Sequence, residues 1–146
     1  MDPLNCDSPA VLNYLGVLQS VISRMASNSA NCKTWCVTVV TGTIALVAGK
    51  DKPYYIWIAA FPTVLFLFLD AYYLGLERCF RRIYNQFVNN LHDGAALSSY
   101  LFIIAPYKTT HELLQYTFEA GRSLAIWPFY ILMIILLVIV RCLMGH

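Results

Sequence analysis

"FPTVLFLFLDAYYLGLERCFRRIYN", residues 61–85, sets one carboxylate, Asp70, inside an apolar run and holds back the charges that should end the run. The apolar character resumes through Ala71, Tyr72, Tyr73 and Leu74, and only then come Glu77, Arg78, Arg81 and Arg82. A run of this length and hydropathy reads as a membrane helix that leaves the bilayer and continues into water. An aspartate near its end needs a partner, because a carboxylate at the centre of a membrane helix costs roughly 2.5–3.5 kcal/mol, and less toward the interface.

The composition agrees with a membrane setting. Of 146 residues, 59% are hydrophobic and 12% charged, against about 25% charged in a soluble domain. Mean hydropathy is +0.59. The net charge of +2 is too small to point to nucleic acid, and no direct nucleic-acid binding is expected. The five cysteines, Cys6, Cys32, Cys36, Cys79 and Cys142, are odd in number and form no CxxC pair, so neither a disulfide framework nor a zinc site is suggested. The first 33 residues lack a basic stretch followed by an apolar one, so no secretory signal is expected.

Working outward from residue 70, the second span is expected at 54–76. Tyr54, Tyr55 and Trp57 mark one interface, Tyr72 and Tyr73 the other, and Pro62 should kink the helix between them. Before it, "GKDKP" at 49–53 reads as a tight turn. The first span is expected at 31–49, with "TWCVTVVTGTIALVAG" (34–49) as its uncharged core. That core covers only about 24 Å, so the span extends back past Lys33, which snorkels to the interface. Residues 8–30 read as a separate amphipathic helix, capped by Ser8 and Pro9. Its apolar stripe is Val11, Leu15, Leu18, Ile22 and Met25. A polar face poor in Lys and Arg favours packing on a partner helix over lying on lipid.

Residues 77–122 are expected as a cytoplasmic segment. It holds a helical continuation with Phe80, Ile83, Tyr84, Phe87 and Leu91 on one side. An ambiguous stretch, "ALSSYLFIIAPYK" (96–108), follows, and then a short helix over "TTHELLQYTFEAG" (109–121). The third span, 123–141, is the clearest by hydropathy and is bracketed by Arg122 and Arg141. The expectation is therefore an all-α integral membrane protein of one membrane domain, 1–146, with three transmembrane helices, an N-terminal amphipathic helix and a cytoplasmic helical segment. Arg24, Lys33, Arg78, Arg81, Arg82, Lys108 and Arg122 share one side, and Lys50, Lys52 and Arg141 the other. The basic excess puts the N-terminus inside an inner membrane and the C-terminus outside.

Three groups of residues could carry function. Asp70 reads as a clamp to Arg24 or Lys33, as one of a ring of carboxylates at a pore mouth, or as a proton-relay site. Thr34, Thr38, Thr41 and Ala45 step by four, three and four along one helical face, and Gly42 lies a turn beyond Thr38. Small and hydroxylated residues at this spacing suit close helix packing or a weakly polar pore lining. Glu77, Arg78, Arg81 and Arg82, with Arg24 and Lys33, form a basic cytoplasmic interface. It suits a positive-inside anchor or anionic lipid head groups, and Glu77 and Arg81 make a favourable i,i+4 pair. Arg141 and His146 have the R-x4-H spacing of membrane-associated HEPN ribonucleases, but they lie on the predicted outer side, away from RNA. With no nucleophile–base pair, ligand cluster or phosphate loop in sight, no enzyme and no cofactor is expected.

Some of these residues also make a pattern. The elements are Arg24, Met25, Ala26, Asn28 and Ser29, then Lys33 and Trp35 entering the first span. Asp70, Tyr72, Tyr73, Leu74, Glu77, Arg78, Phe80, Arg81 and Tyr84 leave the second. Over about residues 17–85 the chain resembles SLATT-type membrane effectors of bacterial conflict systems. The resemblance implies a homo-oligomeric effector in the lipid bilayer. It would form an ion-conducting pore or disrupt the membrane in antiphage defence, when a separate sensor or intracellular signal triggers it. The rival is a non-conducting anchor or scaffold subunit that recruits a soluble partner.

Overall fold

A computed structural model of the chain describes residues 8–47, 53–93 and 110–144. Residues 49–52 of the expected turn at 49–53, the ambiguous stretch at 96–108, Thr109, Cys6 and His146 lie outside the described residues. The elements are α1 (Pro9–Val47), a 3-10 helix (Pro53–Ala59), α2 (Ala60–His92), α3 (Thr110–Gly121) and α4 (Trp127–Met144). No strand occurs among the described residues. Three helical stretches are long and apolar enough to cross a membrane: Pro9–Val47, Tyr54–His92 and Trp127–Met144.

The expected break between an amphipathic helix and a first span is not there. Residues 9–47 form one helix of 39 residues, about 58 Å long at 1.5 Å per residue. Its inner face runs without interruption through Val11, Tyr14, Leu18, Ile22, Ser29, Cys32, Cys36, Val40 and Val47. These residues step by three, four and seven, which keeps one side of a helix turned to one neighbour. The polar residues at 27–31 leave that face intact.

The neighbour is α2, which runs antiparallel. Ser29 meets Asp70 and Cys36 meets Thr63, so seven residues forward on α1 match seven back on α2. Farther along, Tyr14 packs edge-on against Phe87 with ring centroids 4.8 Å apart. The hairpin is therefore about twice as long as a hydrocarbon core of about 30 Å is thick. Two apolar clusters divide it. One gathers Cys36, Val40, Ile56, Ala59, Ala71, Ile126, Tyr130, Met133 and Leu137 from both hairpin helices, the 3-10 helix and α4. The other gathers Val11, Tyr14, Leu18, Ile22, Phe80 and Phe87 from the hairpin alone.

Pro62 sits where the 3-10 helix passes into α2, within the helical stretch Tyr54–His92. The second apolar run begins as a 3-10 helix, and α2 starts at Ala60, so Pro62 falls in the first α-helical turn. Thr63 closes the junction by donating to the carbonyl of Ala59 at 2.8 Å.

α3 lies antiparallel along α2. Gly75 makes this approach possible: a Cβ at that position would stand 3.1 Å from the backbone carbonyl carbon and oxygen of Tyr116. The turn after α3 is held by Ser123, whose carbonyl accepts from the N–H of Ile126 and Trp127 and whose hydroxyl accepts from Ala125. This turn delays α4 to Trp127, a few residues later than the expected start of the third span.

Candidate functional site

The site with the most unusual chemistry lies where the two apolar clusters meet. Asp70 is fully buried, at 0% exposure. The hydroxyl of Ser29 donates to its Oδ1. Lys33 Nζ stands 2.6 Å from its Oδ2, with the lysine side chain 27% exposed. The ammonium approaches off the hydrogen-bond direction, so Oδ2 has an ion contact without a hydrogen bond. It also lies 3.5 Å from the Ser29 hydroxyl. Tyr130 of α4 turns its buried hydroxyl toward Asp70.

The helix period explains which cation is chosen. Arg24 and Lys33 are nine residues apart, two and a half turns, so they point to opposite sides of α1. Lys33 faces α2 and Arg24 is exposed. The clamp reading of Asp70 thus finds its cation in Lys33, and Arg24 is not part of it. Lys33 does not snorkel away from the chain but turns inward to the carboxylate. Ser29 sits one turn before Lys33 on the same side, a spacing that exposes it as a second partner. Tyr130 had no such signal, since only the packing of α4 brings it near.

Arg78, Arg81 and Arg82, which follow Asp70 on α2, are each occupied. Glu77 does not reach toward Asp70 and Lys33; its Oε1 accepts from Arg81 Nε at 2.7 Å. Arg78 donates to the Ser123 hydroxyl at 2.6 Å, tying α2 to the turn before α4. Arg82 donates to the Tyr116 hydroxyl at 2.7 Å and lies 5.0 Å over that ring, tying α2 to α3. Arg78, Arg81 and Arg82 line a shallow polar cleft of about 570 Å³ with Asn85, Gln86, Asn89 and Asn90. At the other end of the hairpin, Arg141 lies 5.7 Å over the Trp57 ring. Cys79, beyond the apolar run, is buried. Burial pushes its thiol pKa up, Arg82 lowers it and Glu112 raises it.

Thr34, Thr38, Thr41, Gly42 and Ala45 are all exposed. They share one side of α1, half a turn from the inner face of Cys32, Cys36 and Val40. Thr34 and Thr38 donate to the carbonyls of Ala30 and Thr34, at 3.3 and 3.0 Å. Their hydroxyls are thus satisfied by their own helix. A Cβ at Gly42 would meet nothing within 4 Å. The stripe packs against no other part of the described chain.

Fold and site together define a chain that is helical over its described residues, with three helices suited to crossing a membrane and, between two of them, an ion pair whose carboxylate is buried. Compared with protein-family models, with curated proteins and with solved structures, the chain finds no match.

Proposed function

We propose that the chain is a small homo-oligomeric effector of an inner membrane that opens an ion pathway through the bilayer. The observation that supports this reading is the stripe of Thr34, Thr38, Thr41, Gly42 and Ala45. Its small side chains face away from the chain's own core, where they allow close approach of a second copy. In a ring of copies that face becomes the seam between neighbours or the weakly polar wall of a pore. The Lys33–Asp70–Ser29 cluster then serves as a clamp fixing the hairpin at the level where it leaves the bilayer. Basic residues on one side favour a cytoplasmic N-terminus and an outer C-terminus. The SLATT resemblance adds a setting, antiphage defence, with a separate sensor or intracellular signal as trigger and no catalytic role for the chain.

A second reading, a non-conducting anchor or scaffold, draws on the length of the hairpin. About half of it extends beyond a hydrocarbon core and offers a helical surface to a soluble partner. Induced expression in cells carrying a membrane-potential dye separates the two. Depolarisation within minutes of induction supports the pore. Growth arrest with the potential intact overturns it in favour of the anchor.

A further inference from the structure

Between α2, α3 and the start of α4 lies an apolar groove of about 1090 Å³. Leu67, Phe68, Leu114, Phe118 and Trp127 line it, and Arg122 lies along it. Leu114 and Phe118 are 62% and 67% exposed, a high value for two large apolar side chains on one helix face. Arg122 is exposed and makes no side-chain hydrogen bond or ion pair among the described residues, whereas Arg78, Arg81 and Arg82 are all engaged. An apolar trough beside a free guanidinium asks for a ligand that is apolar along its body and anionic at one point.

The placement of the groove says which ligand. This step rests on the reading that the three helices cross the bilayer. α4 has 18 residues, about 27 Å, close to the thickness of a hydrocarbon core. Its start at Trp127 therefore marks one edge of that core, and an interfacial tryptophan belongs there. Asp70, which Tyr130 approaches, and Ala71, which faces Gly121, lie near the same level. Arg122 follows Gly121 directly. Leu67 and Phe68 stand on the hydrocarbon side of this edge, and Phe118 and Leu114 on the head-group side. The groove thus crosses the boundary between acyl chains and phosphates, with its cation at the boundary.

We infer that this groove is a binding site for an anionic phospholipid of the surrounding leaflet. The acyl chain lies along Leu67 and Phe68. The phosphate meets Arg122, whose planar fork matches phosphate oxygens. The glycerol and first methylenes cover Phe118. This gives the exposed face of α3 an apolar cover that water would not supply, and it couples the position of α3 to the lipid.

The test is native mass spectrometry of the full-length chain extracted in mild detergent. The probes are phosphatidylglycerol and phosphatidylcholine of identical acyl chains. The wild type should retain phosphatidylglycerol roughly fivefold better, the gain expected from one basic residue at an anionic surface. Arg122→Gln should bring the two lipids level. Leu114→Glu, which puts a carboxylate in the trough, should abolish retention of both. Arg141→Gln, at the other end of the hairpin over the Trp57 ring, should leave the preference unchanged. Equal retention by the wild type, or a preference that survives Arg122→Gln, overturns the inference. So does disulfide crosslinking of Phe118→Cys between copies in the membrane, which would make the groove a seam between chains. Carbonate extraction of the same membranes separates the underlying reading. A chain released by carbonate defeats both, while a retained chain without lipid preference defeats this site alone.

Discussion

Lys33 Nζ lies 2.6 Å from Asp70 Oδ2, yet the two partners are not equally trapped: the lysine is 27% exposed and the aspartate is sealed. The asymmetry orders the effects of substitution. Lys33→Met leaves a sealed carboxylate without its cation and with no route to water. We predict a loss of about 3 kcal/mol, the lower end for breaking a buried pair. Asp70→Leu frees a lysine that can turn outward, and should cost about 1 kcal/mol through the lost hydrogen bond from Ser29. Asp70→Asn keeps an acceptor for Ser29 and should cost least. The double variant Lys33→Met/Asp70→Leu should recover most of the loss of Lys33→Met. Thermal unfolding in detergent measures all four. A double variant as unstable as the sum of the singles would show that no coupling exists.

Gly75 and Gly42 should respond in opposite ways. At Gly75 an added methyl meets the Tyr116 carbonyl carbon and oxygen at 3.1 Å, and backbone cannot swing aside as a side chain can. Gly75→Ala should destabilise the α2–α3 contact by about 1–3 kcal/mol, and Gly75→Leu should detach α3. The readout is proteolysis around Tyr116, which should be faster in both variants. Unchanged cleavage in Gly75→Leu would mean that α3 is held elsewhere.

Much of the hairpin was legible in the sequence because it depends on helical period. The stripe from Val11 to Ile22, the apolar side from Phe80 to Phe87 and the need of Asp70 for a cation all follow from spacing and charge. The choice between Lys33 and Arg24 stayed open in the sequence, and the packing of α1 on α2 selects Lys33. The continuity of α1 was hidden by polar residues at 27–31, although Ser29 and Cys32 keep the inner face in step. The position of α3 was not legible, because it hangs on one close backbone approach at Gly75. The role of Tyr130 depended on how α4 packs, and a span apolar on all sides gives no facing signal. The exposed stripe of α1 was visible as a pattern, but its direction, away from the chain's own core, emerged only from the packing.

Thiol chemistry can report the orientation if burial is respected. Cys142 is exposed and Cys79 buried, so silence at Cys79 says nothing about which side it is on. The burial that raises its pKa also keeps the thiolate scarce near neutrality. In permeabilised cells its labelling should rise about tenfold per pH unit up to at least pH 9. Orientation is better read from Gln86→Cys, at an exposed position on α2 beyond the apolar run. In intact cells an impermeant maleimide should label Cys142 and spare Gln86→Cys. The reverse pattern would invert the proposed topology.

The outward stripe of α1 gives the most direct test of assembly. Gly42 has open space where a Cβ would be, and Thr38 is exposed with its hydroxyl bonded to its own helix at 3.0 Å. Neither residue contributes to the chain's own core, so Gly42→Leu and Thr38→Leu should leave the unfolding temperature of the isolated chain within a few degrees of wild type. If copies meet along this face, the leucine side chains hold the helices apart and the oligomer should dissociate. Detergent gel filtration would then show a smaller particle, and depolarisation on induction would be lost. Gly42→Ala should be tolerated far better, because the small-residue spacing survives. An oligomer that persists in Gly42→Leu and Thr38→Leu, with activity intact, would move the seam to another face and remove the main support for a pore walled by α1.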